Sequence, residues 1–420
     1  MLRHAYFTSR FTSQVGQGVF LAALVLLAGG TSTPALGFSG ILAGMLAGSV
    51  LVALPAGLLI DRIGPPRALA LGAALRFAAI ATGFVAAGQP ERAVAVAFLY
   101  SAASQVFSPA ELSLVRTLSA DRVGRVHVRL VALQHLGQLV GALALAPLLY
   151  RAGGTAWVLA GALAAYALVV LIAGALALRL RAAPTLVRGV RRLPAWSEAF
   201  AYFGGEHRAA YALGLLTFAE IATKTLSVAL PFYLRDELHL GATQVIVLAL
   251  LGGLGATAGL AWAHRALTMQ RASHAIRVAL AASVAATLSL AGVAGALVLL
   301  VRLSPAAPFN VATLDLSFAV AAPAALLLGI CFSIAPVGAR TIFSETAPPG
   351  MQGRVFATQS MSTDALVIAP LLLAGLATDA AGPRAALYFV GMLGAALFVA
   401  LEWTRWRGRR ELVPVPIDAA

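Results

Sequence analysis

Apolar runs of about 20 residues recur along the whole sequence, and each is closed by a short polar turn that usually carries arginine. A helix of that length rises about 30 Å, the thickness of a bilayer's hydrocarbon core. In lipid every backbone N–H and C=O must be bonded within the protein, which leaves the helix as the solution for segments of this length. The rest of the chain offers no alternative. Of its 420 residues 60% are hydrophobic and 11% charged, with a mean hydropathy of +0.89. A soluble domain carries about 25% charged residues, so this chain cannot cover a water-facing surface.

Twelve spans are expected, at about residues 11–30, 37–60, 66–88, 92–109, 127–150, 155–178, 209–234, 241–263, 274–301, 315–340, 353–377 and 384–404. The expected fold class is an all-α membrane protein. Arg3 and Arg10 precede the apolar stretch Val15–Leu27, as in a signal peptide, but no small-residue cleavage site follows, and the stretch reads as a retained first span. With the N-terminus inside, Arg92, Arg151, Arg235, Arg302 and Arg384 fall outside, and Arg76 and Lys224 within spans. All other basic residues collect on the inner side, so the asymmetry predicts cytoplasmic N- and C-termini in an inner (plasma) membrane. A net charge of +14 does not point to nucleic acid here, because it is dispersed in these turns rather than gathered on one face. Cys331 is the only cysteine, which excludes an intrachain disulfide and a cysteine metal cage.

A long polar stretch, Arg179 to Arg208, divides the spans into two sets of six. It mixes arginine with Trp196, Phe200, Tyr202 and Phe203, a composition suited to a helix on the inner membrane surface. The expected organisation is 1–178, a six-helix bundle; 179–208, a linker with an amphipathic helix; 209–405, a second bundle; and 406–420, a tail. Faint echoes suggest duplication. Gly124-Arg125-Val126 precedes Ala146-Pro147-Leu148-Leu149 in one half, and Gly353-Arg354-Val355 precedes Ala369-Pro370-Leu371-Leu372 in the other. Glycines recur at every fourth position as Gly40, Gly44 and Gly48, and as Gly255 and Gly259. Such stripes let helices approach closely in lipid, either as fixed packing or as a sliding contact between halves.

The turn after span 2 reads Gly57-Leu58-Leu59-Ile60-Asp61-Arg62-Ile63-Gly64-Pro65-Pro66-Arg67. It resembles the Gly-x-x-x-Asp-Arg-x-Gly-Arg-Arg signature of the major facilitator superfamily, differing where Pro65 and Pro66 precede a single Arg67. The resemblance implies two pseudo-symmetric six-helix bundles and alternating access. It also implies a gating role for Gly57, Asp61, Arg62, Gly64 and Arg67, which latch the cytoplasmic side in one state. Arg76, Ser197-Glu198-Ala199-Phe200, Leu230-Pro231-Phe232-Tyr233 and Gly353-Arg354-Val355 are similar to the twelve-helix drug and siderophore exporter branch. That branch implies efflux of a small amphipathic or hydrophobic compound by antiport with protons, a monomer surrounded by lipid, and no cofactor. This sequence departs from the branch at Ser13-Gln14-Val15-Gly16-Gln17, where an acidic residue often follows the glycine, and it lacks a buried arginine in span 4 and a Gly-Pro pair in span 5. An importer or a lipid flippase on the same fold would read alike.

Ionisable groups at mid-bilayer cost about 2.5–3.5 kcal/mol each, so each one calls for a reason. Glu220, Lys224, Asp364 and His135 lie at about half depth, and Glu220 and Lys224 are spaced to pair along one helix face. Asp364 is a candidate proton carrier, or else pairs with another helix, through Lys224 or Arg76. Gln14 and Gln17, with Gln105 and Gln134, are candidates to line a cavity or bond between helices. These residues make up the expected substrate or proton-coupling site. No phosphate-binding Gly-x-x-x-x-Gly-Lys loop is present. Gly37-Phe38-Ser39-Gly40 matches an intramembrane protease pattern, but it falls where Ser and Gly commonly begin a helix, and no enzyme is expected.

Overall fold

The structure, a computed structural model, describes residues 2–27, 34–85, 89–118, 123–180, 195–266, 269–303, 312–346 and 352–410. The described residues fold into helices: α1 (Leu2–Leu27), α2 (Ala35–Ile63), α3 (Pro65–Thr82), α4 (Pro90–Leu118), α5 (Val123–Leu139), α6 (Ala146–Arg179), α7 (Ala195–Gly205), α8 (His207–Phe232), α9 (Ala242–Ala266), α10 (Met269–Leu303), α11 (Ala312–Thr346), α12 (Gln352–Ala381) and α13 (Pro383–Arg410). Wide π-type turns extend α5 over Val140–Leu145 and α8 over Tyr233–Glu237. Residues 181–194 of the linker and 411–420 of the tail lie outside the described residues.

Among the described residues, eleven continuous helical stretches are long and apolar enough to cross a membrane. One of them, Ala132–Arg179, has 48 residues and at 1.5 Å per residue would run about 72 Å, more than twice the hydrocarbon thickness. It is interrupted at Gly153 and Gly154, the latter with a left-handed φ of 69°. Read as two spans, it restores the expected twelve. Gly64 takes a φ of 82° between α2 and α3. Glycine alone adopts that conformation without strain, and Pro65 and Pro66 then start α3, where a missing N–H costs nothing.

Contacts divide the chain into two compact units, Met1–Leu193 with Ser360–Gly375, and Pro194–Gln359 with Leu376–Ala420. Within the first, α1 packs on α6, α2 and α3 on α4, and α3 on α6. Within the second, α8 packs on α13, α9 and α10 on α11, and α10 on α13. The same four adjacencies, in the same order, make the two six-span bundles pseudo-symmetric, as the fold class requires.

Glycine decides the tightest of these contacts. A Cβ on Gly48 would stand 2.5 Å from the Phe98 carbonyl oxygen of α4, and one on Gly255 would stand 2.1 Å from that of Leu326 on α11. The two stripes therefore close the equivalent pairs α2–α4 and α9–α11. Each serves fixed packing inside its own unit, not sliding. The short helix α7 is held to α11 by a 2.5 Å hydrogen bond between the Tyr202 and Thr346 hydroxyls and by the Phe203 ring set edge-on to Phe343, 5.6 Å between centroids. Burial raises the Tyr202 phenol above its ordinary pKa, so that hydroxyl stays protonated and able to bond. Outward-facing Leu171, Leu178, Met392 and Val399 are mostly exposed, as surfaces bathed in lipid tails can be.

Candidate functional site

The first unit contains a polar interior. On α1, Arg10, Gln14 and Gln17 follow one another at four and three residues and so share a face. Arg10 and Gln14 are 8% and 3% exposed. The Arg10 guanidinium pairs with the Glu111 carboxylate of α4, itself 2% exposed, and its second nitrogen donates to Gln134 Oε1 of α5 at 2.8 Å. The Tyr6 hydroxyl donates to the Glu111 backbone carbonyl at 3.0 Å. One turn further along, Gln138 Nε2 donates to Gln14 Oε1 at 2.9 Å. Gly137 and Gly141 of α5 and Gly18 of α1 let the two backbones come this close. A Cβ on Gly141 would meet the Val15 carbonyl oxygen at 2.2 Å. His135 is half-buried on the same stretch of α5, within electrostatic reach of Arg10.

A second buried cation, Arg76, sits in the same unit. Arg76 of α3 donates to the Ser104 and Ser108 hydroxyls at 2.8 and 3.1 Å and lies over the rings of Phe107, Tyr100 and Tyr166 at 4.3, 5.3 and 5.9 Å. The Tyr100 and Tyr166 hydroxyls bond each other at 2.6 Å, and Tyr166 donates to the Ser13 carbonyl at 3.1 Å. Among the described residues no carboxylate lies within ion-pair distance of Arg76. Aromatic faces and neutral hydroxyls hold its charge instead.

The residues singled out in the sequence do not all converge. Asp364 of α12 is half-buried in the first unit, where Ser49 Oγ of α2 donates to its Oδ2 at 2.6 Å. Gln105 Nε2 of α4 donates in turn to Ser49 Oγ at 2.8 Å. This polar chain gives Asp364 a serine partner, and Arg76 turns to Ser104 and Ser108. Glu220 and Lys224 are half-buried on α8 but form no ion pair with each other. Such a pair yields only about 0.2–0.5 kcal/mol, too little to fix two long side chains. In the α2–α3 turn Arg62 and Arg67 are exposed, Gly57 is half-buried with open space beside it, and the Asp61 side chain lies outside the described residues.

The sequence does not mark Glu111 or Gln138 as candidates, and it places Arg10 on the cytoplasmic flank just before span 1. Helix α1 begins at Leu2 and α4 continues to Leu118, so all three lie inside helices. The four-residue spacing of Gln134 and Gln138 and the stripe through Arg10, Gln14 and Gln17 were the available signals.

In the second unit Glu402 of α13 accepts from the Tyr211 hydroxyl and pairs with Arg277 at 3.3 Å, while Arg277 Nη2 bonds His274 Nδ1 at 3.0 Å. A shallow notch of about 350 Å³ beside it is lined by Phe398, Val399, Glu402 and Trp403. A groove of about 330 Å³ in the first unit is lined by residues of α2, α3 and α4, among them Val52, Leu75, Leu99 and Val106. Both are largely apolar surface features; apart from Glu402, neither is lined by the polar residues named above. Among the described residues, no three His, Cys, Asp or Glu side chains gather closely enough to hold a metal ion.

The family model described as Major Facilitator Superfamily matches residues 6–364. No curated protein matches the sequence. Among solved structures, a point mutant of the nucleoside transporter NupG superposes with a TM-score of 0.70 at 13% identity, over 96% of this chain and 99% of that one. The NupG parent gives 0.68 at 14% identity, over 96% and 98%. A bacterial homologue of the iron transporter ferroportin, in an outward-facing state, gives 0.61 at 16% identity, over 96% and 99%. At these identities the likeness is one of fold.

Proposed function

The chain belongs to the Major Facilitator Superfamily, and from that premise we propose that it is a secondary active transporter which exports a small amphipathic molecule by alternating access, with Asp364 exchanging the coupling proton. The observation that carries this reading is the hydrogen-bonded chain Gln105–Ser49–Asp364. A carboxyl group inside a span is costly, and groups of this kind mark ion and substrate paths. Ser49 suits both forms of the carboxyl group, since a hydroxyl donates to the carboxylate and can accept from the acid. Protonation of Asp364 therefore need not leave a buried group unpaired at Ser49.

On the same reading Glu220, Lys224 and His135 are further candidates for coupling or substrate contact. Gly57, Asp61, Arg62, Gly64 and Arg67 form the turn that latches one state. The chain lies in a plasma membrane with both termini cytoplasmic, in keeping with the distribution of its arginines.

Purified protein in liposomes loaded with a pH-sensitive dye tests this. Amphipathic compounds added under a proton gradient are expected to elicit proton movement with wild type. Asp364→Asn should reduce that movement to the protein-free background while leaving solute exchange at equal pH. Full proton movement with Asp364→Asn would remove the coupling role, and its direction relative to the solute separates export from uptake.

A further inference from the structure

We infer that the paired faces of α1 and α5 form a binding site for the neutral polar edge of the solute, an edge presenting a hydrogen-bond donor beside an acceptor. This inference rests on the transport reading and specifies what is transported.

Four glutamines stand on these two faces: Gln14 and Gln17 on α1, Gln134 and Gln138 on α5. Each amide offers two donors and an acceptor. The structure uses only part of that capacity, in Gln138 to Gln14 and Arg10 to Gln134. The Gln14 and Gln134 amide nitrogens, the Gln138 carbonyl oxygen and the whole Gln17 amide have no bond to another described residue. Gln17, Gln134 and Gln138 are half-buried, whereas Gln14 is 3% exposed. Among the described residues the buried side-chain atoms without a partner are Ser9 Oγ, Arg10 Nε, Arg76 Nη1 and Arg277 Nε, with no glutamine atom among them. Amide atoms inside a membrane span that are neither bonded nor sealed are reachable from a wet space, where a solute can meet them.

Two further features support a built site. The wide turn Val140–Leu145 begins two residues after Gln138, and such turns concentrate at functional positions. It contains Gly141, where α1 and α5 approach most closely, so the amides are set on closely packed backbone rather than on a loop. Charge sets the class of ligand. The buried cation beside these glutamines, Arg10, is neutralised by Glu111, so a neutral group suits the place better than an ion. A nucleobase edge and a vicinal diol both have the required neutral donor-acceptor pattern.

Equilibrium dialysis of the purified protein against tritiated uridine, p-nitrophenyl glucoside and tetraphenylphosphonium tests the inference. At least one neutral probe is expected to be retained, and its preference over the other tells a base edge from a diol. Gln14→Met and Gln138→Met should each weaken it about tenfold, the effect of one lost hydrogen bond. Gln17→Met should weaken it as well without touching an internal bond, so a folding defect cannot account for the loss. Retention of neither neutral probe, tighter retention of tetraphenylphosphonium, or unchanged retention by Gln17→Met and Gln14→Met would overturn the site. Counterflow of the bound probe in liposomes separates the two claims. Glutamine-dependent binding without counterflow defeats the transport reading alone, and counterflow of any compound that is indifferent to these glutamines defeats this inference alone.

Discussion

Glu111→Ala is expected to lower the unfolding free energy of the detergent-solubilised protein by about 3–5 kcal/mol, the cost of leaving a buried partner charge uncompensated. Arg10 is the charge left behind. It is 8% exposed, and its Nε already lacks a partner. Gln134 can satisfy one nitrogen but cannot neutralise the group. The pair also ties α1 to α4 alongside the bond from Tyr6 to the Glu111 carbonyl, so its loss should be felt by both helices. Removing both charges together, as Arg10→Met with Glu111→Leu, should recover most of the loss, because an apolar pair carries no desolvation penalty. Chemical unfolding followed by tryptophan fluorescence reads all the variants. A single variant as stable as wild type would mean that the two charges do not meet in the folded protein.

The second large effect is on assembly of the bundles. Gly48→Leu and Gly255→Leu should each abolish a monodisperse folded protein on size-exclusion chromatography after extraction. In both cases the nearest atoms to the new Cβ are backbone, the Phe98 carbonyl in one and the Leu326 carbonyl in the other. A flexible side chain could swing aside, but a helix backbone moves only by separating the two helices. Overpacking in soluble cores costs about 1–3 kcal/mol, and here the side chain itself must also displace the neighbouring helix. Gly57→Leu is the matched control. It lies on α2 as well, has open space beside it, and should extract normally. Normal behaviour of Gly48→Leu would show that α2 and α4 do not pack at this distance.

These residues also show how far local reasoning reaches. The stripe Gly40, Gly44 and Gly48 was legible as a close-packing face, yet its partner was not. Four-residue spacing states that something approaches, and only the arrangement of spans states that it is α4. Arg10 was misplaced for a related reason. Helix ends in lipid-facing sequence are soft, and an arginine near the start of an apolar run reads as a flanking charge until a carboxylate is found facing it. Glu111 was missed because span 4 was ended at about residue 109, just before it, at a proline that α4 in fact accommodates. Glu220 and Lys224 were spaced to pair along one helix and do not, because a weak local preference does not fix two flexible side chains.

The sequence by itself determined the solvent and the number of crossings. Both follow from a requirement met locally, that each stretch of backbone in lipid bond to itself over the thickness of the membrane. Which polar groups meet was decided only in three dimensions. Arg10 and Glu111 are 101 residues apart and Ser49 and Asp364 are 315 apart. A helix turns by about 100° per residue, so a shift of one residue in depth or rotation sends a side chain to another neighbour. That setting comes from the packing of all the helices in a unit against one another, and no single span contains it.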